Sequence, residues 1–256
     1  MSFEAPQKGN PHGITVKQHT FPSASIARFT NEKGSVQVMR KQAGQVFHVK
    51  PADQVFCAQR LWDQQAEGVF MKDIEDAFQE LASTTLDRPS FQLGPQHFTL
   101  INEFYCLWNI RVIRKMNGYQ ADASIAGPNV TAVLYEYTTD DQEQLDAGYL
   151  GYVRPDLTIP GRSLLGSLIG LEHRKAVRMM RDVSWELLQT VDAELLVPDN
   201  FFDLYVVPLS PTACLAAQGV IPGGRLTRQA VTALNRAAVA TSVDYYFGRD
   251  LSMCPR

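Results

Sequence analysis

The 256-residue sequence lacks the features that would place a protein in or across a membrane. Its first residues, MSFEAPQKGNPHG, contain no basic segment followed by an apolar one. No later run reaches the roughly 18 consecutive apolar residues that a membrane-spanning helix needs. We therefore expect a cytoplasmic protein without a membrane partner.

Cysteine pairs and the common catalytic motifs are also missing. Cys57, Cys106, Cys214 and Cys254 lie far apart without C-x-x-C spacing, so we expect reduced thiols and neither a zinc ribbon nor a disulfide framework. The five histidines show no pair at metal-binding spacing. G-x-G-x-x-G, G-x-x-x-x-G-K-[ST], H-E-x-x-H and G-x-S-x-G are all absent. We predict neither a metal nor another cofactor.

What is present is the composition of a soluble globular protein. Apolar residues make up 45% and charged residues 20% of the chain, which is enough apolar material for a substantial core. We predict a flexible N-terminal arm over residues 1–13 and a single globular domain over residues 14–256. The formal net charge of -3 provides no overall field that attracts nucleic acid. A phosphate-bearing ligand or nucleic acid would therefore need a local basic patch.

Hydrophobic periodicity in the first half of the chain predicts a hairpin and two helices. Alternating apolar residues on either side of residues 41–44 predict the hairpin. Apolar residues at spacings of three and four predict a long amphipathic helix over residues 59–81. A second helix is predicted after Gly94 and Pro95. Its apolar residues cover nearly the whole circumference, which is typical of a helix in the centre of a fold.

The second half of the chain mixes further helices and strands. The predicted elements are a strand over 129–137, an acidic loop (TTDDQEQLD) after it, an ordered loop over 149–166 that is a candidate lid, a helix over 167–189, two short strands flanking Asp199 and Asn200, and a last helix from a Thr227 cap to Gly248. No regular βαβ rhythm is present. We therefore predict an α+β fold, in which long amphipathic and central buried helices pack with a small, mostly antiparallel sheet.

Two sets of polar side chains on predicted helices are candidate binding residues. Arg174, Arg178 and Arg181 lie at helical spacing and form either a solvated helix face or a surface for phosphates. Asn235 lies on an apolar stripe of the last helix, and a buried amide there needs hydrogen-bond partners. Such a residue either ties the helix to a neighbouring loop or contributes to a site.

Arg111 and Arg114 lie on the predicted central helix, where an unpaired buried cation is costly. Arg111 therefore needs a neutralising group. The structural alternative is an internal carboxylate such as Asp199 or Glu103. The functional alternative is a phosphate or carboxylate of a substrate.

The segment KQHTFPSASIARF resembles the opening of a bacterial family known as domain of unknown function 4238. That opening contains a histidine, a proline and a leucine-rich segment ending in phenylalanine, which correspond here to His19, Pro22, Ile26 and Phe29. In the family a hairpin and a long helix follow. The segment QVMRKQAGQVFHVKPADQVF and the helix predicted after it match this order in outline.

Later segments resemble the same family in the same order. FYCLWNIRVIR is similar to its apolar helix ending in arginine, here Arg111 with Arg114 behind it. SWELLQTVDAELLVPDNFF and YVVPLSPTACL resemble its tryptophan helix, its Asp-containing turn and its Pro-Leu-Ser-Pro strand, and LNRAAVATSVDYYFG resembles its closing helix. At the turn this chain departs from the family, with Pro198 before Asp199 and Phe201 in place of a proline. The resemblance implies candidate positions but no activity.

Three functions remain open from the residues, and one of them is nucleic-acid binding through Arg174, Arg178 and Arg181. In the first, a binding or regulatory module, the polar residues form an internal network that holds the N-terminal segment against the central helix. In the second, a hydrolase, His19 is the base and works with Arg111 and Asp199, as in a nuclease-like effector of a conflict or toxin system. The candidate binding residues are Arg28, Arg114, Asn200, Asn235, Arg174, Arg178 and Arg181.

Overall fold

Helices and short antiparallel strands are mixed along the chain, as the sequence predicts. The structure is a computed structural model that describes residues 3–88, 90–126, 137–202, 204–221 and 225–256. The helices are α1 (Ser23–Ala27), α2 (Lys72–Asp87), α3 (Pro95–Asn117), α4 (Thr139–Ala147), α5 (Gly161–Met179) and α6 (Arg228–Thr241), and a π-helical turn (Ala66–Met71) leads directly into α2. The strands are β1 (Lys17–His19), β2 (Val36–Arg40), β3 (Gln45–Val49), β4 (Cys57–Gln59), β5 (Ala123–Ser124), β6 (Thr158–Ile159), β7 (Trp185–Gln189), β8 (Val197–Pro198), β9 (Val206–Ser210), β10 (Ala213–Ala217) and β11 (Tyr245–Gly248). The predicted α+β fold is confirmed.

Helix α3 forms the centre of the fold, as its apolar circumference predicts. It packs against α2 on one side and α5 on the other. The rings of Phe78 on α2 and Phe104 on α3 stack face to face with their centroids 3.6 Å apart. Trp108 is 1% exposed and donates a hydrogen bond to the main-chain carbonyl of Asp199. Helix α3 therefore contacts residues from both the first and the second half of the chain.

Two small sheets lie around the helices, and both combine distant segments. The larger has the strand order β3-β2-β11-β8, and the smaller has the order β7-β10-β9. Strands β2 and β3 form the predicted hairpin, with Gly44 at a φ of 62° in its turn. Strand β11, near the end of the sequence, inserts between β2 and β8. Pairs β1-β4 and β5-β6 complete the described strands.

Two predicted helices end earlier than expected. The helix predicted over 167–189 runs instead from Gly161 to Met179, and the tryptophan segment after it is strand β7, which pairs with β10. The helix predicted to reach Gly248 ends at Thr241, and residues 245–248 are strand β11. In this second case the carboxylate of Asp199 accepts the N–H groups of residues 243–245, which removes them from further helical bonds.

Four other local predictions meet different outcomes. The helix predicted from residue 59 begins later, because residues 57–59 pair with β1 as strand β4. The acidic stretch predicted as a loop is helix α4, whose capping box joins Thr138 and Asp141. The candidate lid over 149–166 contains strand β6 and the start of α5. The strand predicted over 129–137 lies outside the described residues except for its last position.

The first described residues lie against α4. The main-chain N–H of Gln7 donates to Glu143 at 2.8 Å, and the ring of His12 lies 2.8 Å from the carboxylate of Asp140. Gly9 and Gly13 adopt φ values of 84° and 64°, which glycine adopts without steric penalty. We call residues 3–13 the N-terminal segment. Among the described helices, none combines the length and the apolar character that crossing a bilayer requires.

Candidate functional site

Arg111 is neutralised inside the protein, although not by the residues that the sequence favoured. It is 2% exposed and forms an ion pair with Glu75, while a Glu67 carboxylate oxygen lies 3.8 Å from its Nη2 atom. Its guanidinium also lies over the ring of Trp62, 5.6 Å from the ring centroid. Asp199 and Glu103 were the predicted partners, and that prediction is wrong. The two carboxylates come from α2 and from the π-helical turn, and the sequence did not indicate that these elements pack beside Arg111.

Glu67 is held beside Arg111 in a largely buried environment. Trp62 donates its indole N–H to Glu67 at 2.6 Å. Burial raises the pKa of Glu67 above its usual value, while the charge of Arg111 and the bond from Trp62 oppose this shift. The charge of Arg111 therefore favours the ionised form of Glu67. This arrangement is an internal salt-bridge network rather than an open anion site.

His19 is half-buried and has its own partner. Its Nε2 atom lies 3.2 Å from the main-chain carbonyl of Pro51. Burial lowers the pKa of His19, while the Pro51 carbonyl and the Glu75 carboxylate raise it and the Arg111 charge lowers it further. Burial therefore favours the neutral form of the ring. It makes no described hydrogen bond to either Arg111 or Asp199.

Asp199 is a structural junction between α3, α6 and β11. It is 4% exposed, and its carboxylate accepts hydrogen bonds from the N–H groups of Val243 at 2.9 Å, Asp244 at 2.6 Å and Tyr245 at 3.3 Å. Burial raises the pKa of Asp199, and these N–H donors oppose the shift. Asn200 next to it accepts from the N–H of Phe202. The two polar residues between the apolar strands thus form a turn, and both side chains accept hydrogen bonds from main-chain N–H groups.

A small cavity of about 200 Å³ lies beside this junction. Thr20 and Lys115 line it together with Asp199. Lys115 donates to the main-chain carbonyl of Val55 at 3.0 Å. Arg111 acts on His19 through its charge, and Lys115 lines the cavity beside Asp199. These two residues are four apart on α3 and therefore lie on one side of that helix. The surroundings of His19 and of Asp199 remain separate hydrogen-bonded clusters.

The other predicted binding residues also have structural partners or are exposed. Arg28 donates to the Leu209 carbonyl and to Gln79, and Arg114 pairs with Glu172. Asn235 bonds Leu196, Glu194 and Pro255. Arg181 pairs with its neighbour Asp182. Burial lowers the pKa of Arg28 to about 10. Arg174 and Arg178 are exposed, and neither forms an ion pair within the described part of the chain.

A cluster of three arginines that the sequence did not indicate surrounds a cavity of about 550 Å³. Arg60 follows β4, Arg154 lies before β6, and Arg162 is in the first turn of α5. We call this the arginine pocket. The side chains of Arg60 and Arg162 are 1% and 5% exposed, and that of Arg154 is 18% exposed. The pocket is therefore made of fixed guanidinium groups rather than of mobile surface side chains.

Glu4 of the N-terminal segment occupies the arginine pocket. Its carboxylate oxygens lie 3.3 and 3.4 Å from Nη2 of Arg154, and its Oε2 atom forms an ion pair with Arg162. Its main-chain carbonyl accepts a hydrogen bond from Arg60 at 3.1 Å. The Glu4 side chain is nevertheless 51% exposed. Three guanidinium groups thus bind one half-exposed glutamate through both its side chain and its main chain.

Buried groups behind the pocket hold two of the arginines in place. One oxygen of Asp146, on α4, accepts from Arg60 and from Arg162 at 3.1 Å each. Arg162 also donates to the hydroxyl of Tyr152. Arg60 has a φ of 41°, in the left-handed region that non-glycine residues rarely adopt. Its Nε atom is buried and has no hydrogen-bond partner within the described residues.

Asp122 and Gly161 close one side of the arginine pocket. The carboxylate of Asp122 accepts from the N–H of Gly161 at 2.6 Å and pairs with Arg154. A Cβ atom on Gly161 would lie 1.9 Å from the main-chain carbonyl oxygen of Gln120. Only glycine permits this approach of the two backbones. The first residue of α5 therefore determines where the 120–122 segment lies.

Replacement of Gly161 by alanine is expected to destabilise the protein by about 3 kcal/mol, because the contacting atom is main chain and overpacking costs roughly 1–3 kcal/mol or more. Urea unfolding of both proteins measures the difference. Gly170→Ala is the matched control, since its new Cβ would meet only Arg174, at 3.9 Å. Equal stability of the two variants would contradict the close approach.

Sequence reasoning missed the arginine pocket because no local pattern indicates it. The residues Glu4, Arg60, Asp146, Arg154 and Arg162 come from five separate segments. Arg154 lies in the predicted ordered loop, but a single arginine in a loop carries no specific signal. The Gly and Pro content of the segment around it predicted an ordered loop but no site.

Comparison of the chain with protein-family models, with curated proteins and with solved structures found no match. The resemblance to domain of unknown function 4238 therefore stays a prediction. Function has to be argued from the geometry of the described residues.

Proposed function

We propose that this protein is a binding module for an anionic ligand that carries a carboxylate or a phosphate. The observation that carries the proposal is the convergence of Arg60, Arg154 and Arg162 on one cavity. Arginine binds carboxylates and phosphates with two parallel hydrogen bonds, and fixed guanidinium groups lose little freedom on binding. The half-exposed carboxylate of Glu4 stands where the anionic group of a ligand would bind.

The arrangement also supports a regulatory role over a catalytic one. A hydrolase would need a base and an anion-stabilising group around a common cavity. His19, Arg111 and Asp199 instead bond to Pro51, to two carboxylates and to three main-chain N–H groups, respectively. Each of the three groups thus has its own local structural partners, and the hydrolase is the weaker alternative.

Replacement of Arg154 by glutamine tests the proposal with inorganic phosphate as the probe. Each lost charge-assisted hydrogen bond is worth roughly 1.5–3 kcal/mol, so the variant should bind phosphate roughly 10- to 100-fold more weakly. Arg154 is the least buried of the three arginines, and Asp122 keeps its bond to Gly161 without it. Isothermal titration at low ionic strength measures the affinity, because salt screens such contacts.

A variant of three exposed arginines, two on α5 and one just after its end, is the matched control. Arg174, Arg178 and Arg181 are replaced by glutamine together, which removes more positive charge than the Arg154 variant does. Phosphate affinity should remain within about twofold of wild type, since none of the three lines the pocket and the nearest, Arg174, lies about three turns along α5 from Arg162. Loss of binding in this control, with retention in the Arg154 variant, would overturn the proposal and favour nucleic-acid binding on α5.

A further inference from the structure

The N-terminal segment reaches the arginine pocket from a separate anchoring point. Gln7 and His12 bond to Glu143 and Asp140 on α4, and Glu4 extends beyond them to Arg154 and Arg162. The side chain of Asp140 is 61% exposed, whereas Glu143 is buried. The segment is therefore held by a small number of polar bonds. It contributes few large apolar side chains to the core.

The arginine pocket retains its framework when Glu4 is taken away. Asp146 bonds Arg60 and Arg162, and Asp122 bonds Arg154, and none of these three contacts involves the N-terminal segment. The buried Nε atom of Arg60 is left without a partner even with Glu4 in place. Glu4 is consequently not needed to assemble the guanidinium groups, and it does not satisfy all of their donors.

We infer that Glu4 acts as an intramolecular ligand that occupies the arginine pocket and competes with an external acidic peptide. This inference rests on the proposed anion-binding function. Arg60 binds a main-chain carbonyl while Arg154 and Arg162 bind a carboxylate, so the pocket recognises a glutamate residue within a peptide rather than a bare anion. A tethered group competes at an effective concentration on the order of millimolar, so it masks the pocket from weak ligands.

Replacement of Glu4 by glutamine is the direct test. The site becomes open in a larger fraction of molecules, and apparent affinity rises in proportion to that fraction. N-acetylglutamate amide, which presents one carboxylate between two amide groups, should bind roughly tenfold more tightly to Glu4→Gln than to wild type. Inorganic phosphate serves as the second probe, and because Glu4 excludes it from the same site, its affinity should rise by the same factor from a weaker starting value. Isothermal titration measures both affinities in the 256-residue proteins.

Glu32→Gln is the matched control, because it makes the same charge change at an exposed glutamate outside the pocket. Its affinities should equal those of wild type. A gain in Glu32→Gln equal to that in Glu4→Gln would show a general charge effect and overturn the inference. Phosphate binding stronger than that of the glutamate derivative in Glu4→Gln would overturn the assignment to a peptide and leave a free phosphate as the ligand.

The outcomes separate this inference from the proposed function. If neither wild type nor Glu4→Gln binds either probe, the anion-binding function itself is wrong. If both proteins bind the probes with equal affinity, anion binding stands and competition by Glu4 is overturned. If only Glu4→Gln gains affinity, both are supported.

Proteolysis gives a second measurement that follows the N-terminal segment itself. Lys8 is exposed within this segment and provides a site for trypsin. In wild type, N-acetylglutamate amide should accelerate cleavage after Lys8 several-fold, since the displaced segment opens more often. Glu4→Gln should be cleaved rapidly without any ligand. A cleavage rate in wild type that is independent of the ligand would contradict displacement of the segment.

Discussion

Replacement of Asp199 by alanine is expected to lower the free energy of unfolding by about 3 kcal/mol, because three main-chain N–H groups lose their acceptor and each unsatisfied buried group costs about 1–3 kcal/mol. The lower part of that summed range applies, since water can enter from the adjacent cavity of about 200 Å³. Urea unfolding of both 256-residue proteins at pH 7 measures the change.

Two further substitutions are compared with Asp199→Ala in their free energy of unfolding. Asn at position 199 keeps one oxygen acceptor, so Asp199→Asn should lose roughly half as much stability as the alanine variant. Asp192 is exposed in the same region of the chain, and Asp192→Ala should change stability by less than about 0.5 kcal/mol. A loss below about 1 kcal/mol for Asp199→Ala would contradict its role as the junction between α6 and β11.

Arg111→Met is expected to destabilise the protein by about 3 kcal/mol at pH 7, because it leaves Glu67 and Glu75 without their cation in a largely buried place. The side chain of methionine fills much of the same volume, so the loss reports charge more than packing. Chemical unfolding measured at several pH values tests this.

The sign of the pH dependence follows from the carboxylates. Burial already raises the pKa of Glu67, and removing Arg111 removes the charge that opposes this shift. A carboxyl group whose pKa is higher in the folded than in the unfolded state loses stability as pH rises through its folded pKa. The deficit of Arg111→Met should therefore be smaller near pH 4 than at pH 8. A deficit that is independent of pH would mean that packing rather than charge accounts for it.

Two related variants complete this test. Glu67→Gln added to Arg111→Met should recover about 1–2 kcal/mol at pH 7, since it removes one uncompensated charge. Arg114→Met makes the same substitution one turn along α3. It should cost less than about 1 kcal/mol, because the partner of Arg114, Glu172, is 43% exposed.

Local sequence patterns predicted the elements whose character is set within one turn or one repeat. The hairpin around Gly44 and the helix after Pro95 are in this class, since turn chemistry and apolar periodicity act over a few residues. The segments that follow α5 and α6 are not. Their apolar residues suit either a helix or a strand, and pairing of β7 with β10 and of β11 with β2 decides between the two.

The candidate site was likewise predicted from the sequence only in part. The sequence correctly indicated that Arg111 requires a neutralising charge and that Asn235 requires partners, because the cost of burying such groups is a property of the residue. It did not indicate which carboxylates those would be. The sequence also predicted a turn at Asp199, and the structure has a turn there, with the Asp199 carboxylate accepting main-chain N–H groups.

By itself the sequence determined the α+β class, the central position of α3 and the need to pair its buried cation, since composition, periodicity and desolvation act on each segment separately. Only the tertiary structure decided the partners of Arg111 and the assembly of Arg60, Arg154 and Arg162 around Glu4. Contacts between residues far apart in the sequence depend on how the elements pack. No local pattern encodes that packing, and the arginine pocket is formed entirely from such contacts.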